Sequence, residues 1–199
     1  MPSPVTFQVE EYFNEFASDS AMAEAARFKT VPTGSYKAQV TKYEGRYFEQ
    51  KDGKNGGKYW SPVFSDDTTP KPEWRKGVQV TADLFNDEGK KITTQRVEAS
   101  WEDKRDDKGN LDKLFKQWEQ LTKAVFPNLK AAEGEKKSTG EVLGTLTQYP
   151  VKFFVTESFK TVAVDGSTKW ATASNDEESK TYREAGYDVR NFIQRITKL

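Results

Sequence analysis

The stretch Val78–Phe85, VQVTADLF, decides the reading of the fold. Val78, Val80, Ala82 and Leu84 alternate with Gln79, Thr81, Asp83 and Phe85, and a period of two lets a strand bury one face and wet the other. The following NDEGKK is a turn, and Ile92–Ala99, with Thr93, Thr94 and Val97 favouring extended backbone, returns antiparallel. Upstream, Pro32 and Gly34 turn the chain into a half-buried strand in which Tyr36, Ala38 and Val40 alternate with Lys37, Gln39 and Thr41. QKDGKNGGK, Gln50–Lys58, reads as an exposed loop leading to a second strand at Tyr59–Phe64.

Helical periodicity is confined to fewer places. Leu111, Leu114, Phe115, Trp118, Leu121 and Val125 form one apolar stripe, with Asn110 available as a cap, Asp112 complementing the dipole and Pro127 as a stop. Val9, Tyr12, Phe13 and Phe16, followed by the Ala-rich run Ser20–Arg27, predict a helical N-terminal extension over residues 1–30, ahead of a binding domain over 31–199. Lys130–Gly140 is polar connection. Glu141–Glu157 is expected to give two short β segments around Tyr149 and Pro150, with Phe153 and Val155 inward, and Val162–Ser179 a loop carrying Trp170. In the closing segment Val189, Phe192, Ile193 and Ile196 fit a helix, but the β-branched residues favour a strand.

Composition narrows the function classes. Of 199 residues, 35% are apolar and 13% aromatic, so the core is built from few, large side chains. With no cysteine there is no disulfide or thiolate chemistry, and with no histidine there is no triad base or imidazole ligand, so a conventional enzyme is not expected and no cofactor is called for. The acidic clusters Asp66–Asp67 and Asp103 with Asp106–Asp107 carry oxygen ligands for magnesium but are interrupted by Lys and Arg, as solvated loops are. GKNGGK, Gly53–Lys58, lacks the spacing of a phosphate loop. There is no apolar run of membrane-spanning length and the start lacks signal-peptide character, so a cytoplasmic location is expected.

The net charge is zero, from 31 basic and 31 acidic residues, but it is segregated. Met1–Thr30 holds two basic against five acidic residues, and Val31–Ser65 six basic against three acidic. In that second segment Tyr43, Arg46, Tyr47, Phe48, Lys51, Lys54, Lys58, Tyr59 and Trp60 interleave cations with aromatics. Single-stranded nucleic acid asks for this combination, because bases stack on aromatic faces while Lys and Arg neutralise phosphates. Strand aromatics are also commonly core, and alternation sorts the two roles. Tyr36 shares a face with Ala38 and Val40, whereas Tyr43 is in phase with Lys37, Gln39 and Thr41, Phe85 with Gln79 and Asp83, and Phe154 with Lys152 and Thr156. Trp74, beside Arg75 and Lys76, either clamps a strand or plugs one end of a barrel.

The order of features, VPTGSYKAQV, a Gly/Lys hairpin, TADLFND, the helix LDKLFKQWEQLTKAVFP and the return TGEVLGTLTQYPVKFFV, resembles the OB-fold single-strand-binding proteins that bacteriophages encode beside replication and recombination genes. The resemblance covers about Val31–Leu199. It implies a mainly β domain with α, a five-stranded antiparallel barrel with one helix between strands three and four, and ligand crossing the face of the second and third strands. It further implies sequence-tolerant binding of single-stranded DNA in host-cell cytoplasm, with replication or recombination proteins as partners and homo-oligomerisation as an option. Tyr43 to Trp60 and Phe85 carry over as a patch. An acidic C-terminal tail, common in such proteins, is replaced here by RNFIQRITKL. The alternative from a different class is a protein-interaction module, a phage inhibitor of a host enzyme or an assembly component, that uses the same aromatics as interface anchors.

Overall fold

A computed structural model describes residues 30–52, 58–63, 69–105, 108–130, 134–162, 165–173 and 175–199. The expected N-terminal helices lie outside these residues, as do Lys54, Asp66, Asp67, Asp106 and Asp107.

Among the described residues seven strands make one antiparallel sheet: β1 (Gly34–Asp52), β2 (Lys58–Val63), β3 (Arg75–Phe85), β4 (Lys91–Ala99), β5 (Val151–Val162), β6 (Thr168–Thr172) and β7 (Val189–Lys198). The order β4-β3-β1-β5-β6 forms its spine, with β2 on β1 and β7 on β5. The mainly β class is as expected. The five-stranded barrel is not: the sheet is open, and β4 and β7 are edges that no backbone ladder joins. A side-chain hydrogen bond links them, Gln95 Nε2 donating to Asn191 Oδ1 at 3.4 Å.

β3 behaves as its alternation requires, with Val78, Val80, Ala82 and Leu84 all buried. The turn into β4 is held by Asn86, whose side chain accepts from Lys90 N at 2.8 Å, and by Gly89, whose φ of 77° is one that L side chains avoid. β1 is far longer than its apolar alternation predicts. It is interrupted at Thr41, where the register slips between Val40, opposite Ala82, and Lys42, opposite Thr81. That bulge inverts the phase of everything after it.

Helix α1 (Lys113–Val125) buries Leu114, Trp118, Leu121 and Ala124 against the sheet. Its cap is Asp112, which accepts from Phe115 N at 2.9 Å, and not Asn110. A second helix, α2 (Thr139–Gln148), replaces the β segment expected from Glu141 onward. Ser138 and Glu141 close a capping box around its first turn, and Val142, Leu143 and Leu146 find a buried face, so tertiary burial overrides the extended preference of Val and Thr. Two helices thus separate β4 from β5 where one was expected. The loop expected at Val162–Ser179 contains β6 and the start of α3 (Asp176–Glu184). α3 buries nothing apolar; Arg183 and Ser179 instead bind Glu157, a carboxylate buried in β5, and Tyr182 packs on Phe159 with centroids 5.1 Å apart. The closing segment is a strand, as its β-branched residues favour.

The core is one cluster between the inner face of β1, β3, β4 and β5 and the helices. At its far end Gly77 lies where β3 passes β4, and a Cβ there would overlap the carbonyl oxygen of Ala99 and come within 2.6 Å of the Phe48 ring. Gly77→Ala is therefore expected to destabilise by about 1–3 kcal/mol through overpacking, read as a lowered urea midpoint. An unchanged midpoint would mean that β3 and β4 separate there without cost.

Candidate nucleic-acid interface

In an antiparallel ladder, residues directly opposite one another project to the same side, so the register sorts every candidate residue. On the outer face Lys91, Phe85, Lys37 and Lys152 form a transverse row through successive Cα partners on β4, β3, β1 and β5. In the next row Phe154 lies opposite both Ser35 and Arg195, with the Arg195 guanidinium 5.7 Å from its ring. Phe85, Lys152 and Phe154, expected to project away from the core, are brought together here, and Lys37 joins them.

From this row a groove runs along the outer face. Its first part, about 260 Å³, is lined by Lys42, Glu44, Gln79, Thr81, Asp83, Lys91, Thr94 and Arg96 among others. Gln79 and Arg96 also line the second part, a cleft of about 630 Å³ bounded by Gln50 and Trp60 of the β1–β2 hairpin, by β4, by the start of α1 and by Asn191–Ile193 of β7. The cleft is what remains between the two sheet edges once α1 is laid across them. Gln117 Nε2 donates to Ile193 O at 3.0 Å and Gln120 Oε1 accepts from Ile196 N at 2.9 Å, so helix amides satisfy the β7 edge that no strand covers.

Each wall of the cleft carries an aromatic flanked by cations. Trp60 has the Arg75 guanidinium 4.9 Å and Lys104 Nζ 4.7 Å from its ring centroid. Across from it Phe192 lies beneath Arg190 at 4.2 Å and Lys113 at 5.6 Å, and Arg190 is also 3.8 Å from the Trp170 ring, which is 39% exposed. Arg190 and Phe192 share a face by strand alternation, but Trp170 joins them only through the β5–β6 and β5–β7 registers, which the sequence does not show.

The groove's charge is mixed. Glu44 is ion-paired to Lys42 and Arg46, and Lys91 to Asp83 at 2.8 Å. The Lys42 hydrogen bond in particular holds the Glu44 carboxyl below its ordinary range. Glu98, on the cleft floor, moves the other way: burial raises its pKa, against the opposing pull of Lys113 and a hydrogen bond with Gln79.

Other expected residues are placed differently. Phe48, opposite Arg75, is fully buried beside Gly77 and offers no face to a ligand. Arg75, with its side chain 5% exposed, is bound to Asp112 and to the carbonyl of Glu102, so it anchors the start of α1 to β3 and meets the cleft only through Trp60. Tyr43 is 45% exposed, but for a reason other than its expected phase. The Thr41 bulge sets it opposite Val80, on the side away from the groove, and Tyr47, opposite Lys76, follows it there. Trp74 packs on Tyr47 with centroids 6.4 Å apart and carries Lys71 over its ring at 5.6 Å. Lys51, paired with Glu49, and Arg46 complete the hairpin, and Lys58 opens β2. The single basic-aromatic patch of the sequence is therefore two patches on opposite sides of one sheet. Among the described residues no helix is long and apolar enough to cross a membrane.

Two stability measurements check this geometry. Arg75→Met removes one partner of a buried pair and is expected to cost about 3–5 kcal/mol in urea unfolding, whereas a loss within about 0.5 kcal/mol would show the pair to be a surface contact. For Glu98 the folded pKa lies above the unfolded one, so its contribution is fully present below the ordinary value near 4.5 and is lost as pH rises through the folded value. Glu98→Gln should therefore gain stability relative to the parent chain as pH climbs from the ordinary value through the folded one, and profiles that stay parallel across that interval would contradict the burial.

Comparison with protein-family models, with curated proteins and with solved structures finds no match for this chain.

Proposed function

We propose that this protein binds single-stranded DNA along the outer groove of its sheet, largely without regard to sequence. The observation that carries the reading is that Trp60 and Phe192, each flanked by two cations, line one cleft that opens into a groove across β1, β3 and β4. A base is a planar π-system on a charged backbone, and an aromatic ring with a cation beside it offers a partner to both parts. Phosphates would meet the exposed Lys37, Lys152 and Arg195 at one end and Lys104 and Arg190 at the other. Ion pairs within the groove fix its walls and leave the ends as its positive ground. The likeness in feature order to phage single-strand-binding proteins supports a role in replication or recombination.

The opposite side favours a second, compatible reading. Tyr43, Tyr47 and Trp74 form an aromatic surface edged by Lys71 and Lys76, the kind of anchor cluster through which a protein partner docks. As a sole function this would make the chain a protein-interaction module.

Tryptophan fluorescence titrated with oligothymidine separates the two. Quenching at low salt that fades as salt rises is expected, with Trp60→Ala and Phe192→Ala each weakening binding by about 1–3 kcal/mol at unchanged urea midpoints. Tyr43→Ala should leave this affinity unaltered. Absence of a response at low salt, or loss only through Tyr43→Ala, would overturn the reading.

A further inference from the structure

Phe192 lines the cleft, and beyond it the sheet carries a further stretch of the same chemistry. Arg190 is the same-side neighbour of Phe192 on β7, and Trp170 reaches it from β6 across the intervening β5, where Ser158 lies opposite Arg190 and Lys160 opposite Trp170. The guanidinium lies 3.8 Å from the Trp170 ring centroid and 4.2 Å from that of Phe192, so ring, cation and ring follow one another outward from the cleft. α3 does not cover this stretch. It binds Glu157 and packs on Phe159, positions of β5 that alternate with Ser158 and Lys160, and so lies on the opposite face. β6 ends the sheet on this side, and Trp170 keeps 39% of its surface exposed. Arg190 has no anion to answer its charge: among the described residues it forms no ion pair, and the nearby Asp188 is paired with Lys160 at 3.9 Å. Burial lowers its pKa from the ordinary arginine value, as expected of a cation that has lost water and gained no counter-charge.

We propose that the single-strand site continues past the cleft onto β7 and β6, with Trp170 as a further base platform and Arg190 binding the phosphate between the base on Trp170 and the base on Phe192. The inference rests on the single-strand-binding reading and extends it by a nucleotide that neither the groove nor the cleft accommodates. Base, phosphate and base is the repeat of a nucleic-acid strand, and ring, cation and ring is the order in which the sheet presents its partners. The planar guanidinium, already held in place by two rings, gives a phosphate a preorganised fork of donors. Trp170 accepts any base, since each has a π face, so the extension adds affinity without adding sequence preference.

The test follows the anisotropy of a labelled oligothymidine of about sixteen nucleotides, the upper end of the site sizes single domains cover. Trp170→Ala is expected to weaken binding about tenfold at an unchanged urea midpoint, and Trp170→Phe, which keeps a ring, to bind as the parent chain does. Arg190→Met is expected to lower the slope of log affinity against log salt by about one, a change that lost packing alone does not produce. If Trp170→Ala lowers the urea midpoint, the salt slope of Arg190→Met decides alone. Parent-like affinity in Trp170→Ala, or an unchanged slope in Arg190→Met, would overturn the extension, and the single-strand reading would stand as long as Trp60→Ala weakens binding. No binding of the oligomer by the parent chain would overturn both.

Discussion

The structure depends on how one helix deals with two unpaired sheet edges. β4 and β7 both end the sheet, and an edge presents N–H and C=O groups that must find partners. A closed barrel would pair them with each other. Here α1 lies between them, with Gln117 and Gln120 serving the β7 backbone and Leu114, Trp118 and Leu121 filling the space beneath. The helix is in turn fixed at its N-cap, where Asp112 accepts from the Phe115 N–H and holds the buried Arg75 of β3. Moving α1 would leave unsatisfied groups on β7, on β3 and at its own N-terminus. The cleft is a by-product of this arrangement: the helix holds the two edges apart, and the gap on the outer side is left open to solvent and to the proposed ligand.

The same arrangement explains why the cleft is lined by amides. Gln50, Gln79, Gln95, Gln117 and Asn191 all reach it, and several are engaged with backbone or with each other. Asn191 also holds Val31 by both its amide nitrogen and oxygen, each at 2.8 Å, so the chain's entry into β1 is tied to the β7 edge. Carboxamides suit such a site, since each offers donor and acceptor without the desolvation penalty of a charge.

How much of this is legible in the sequence varies by element, for physical reasons. VQVTADLF reads correctly because β3 is central and its period of two is not broken. The outward phase of Phe85 and Phe154 follows from the same regularity. Tyr43 does not, because nothing in the composition of β1 announces that Thr41 is a bulge; the extra residue is imposed by the pairing with β3. The capping box Ser138–Glu141 is present in the sequence but is outweighed there by Val142, Leu143 and Thr145, whose helical placement depends on the face they bury. The cleft itself is not visible at all. Gln117 and Phe192 lie 75 residues apart on elements whose proximity only the register of β5 with β7 and the docking of α1 create. Arg75 illustrates the converse: its company of Trp74 and Lys76 suggests a surface cation, and burial against Asp112 makes it structural.

A ligand lying between the β4 and β7 edges must shield the backbone of both. Backbone hydrogen exchange, measured with and without a single-stranded oligonucleotide at low salt, reads those edges directly. Slowed exchange is expected in residues 95–98 of β4, 191–193 of β7 and the first turn of α1, with the face carrying Tyr43 and Tyr47 unchanged. Protection confined to Tyr43–Tyr47 and the Trp74 region, or none anywhere, would contradict ligand binding in the cleft.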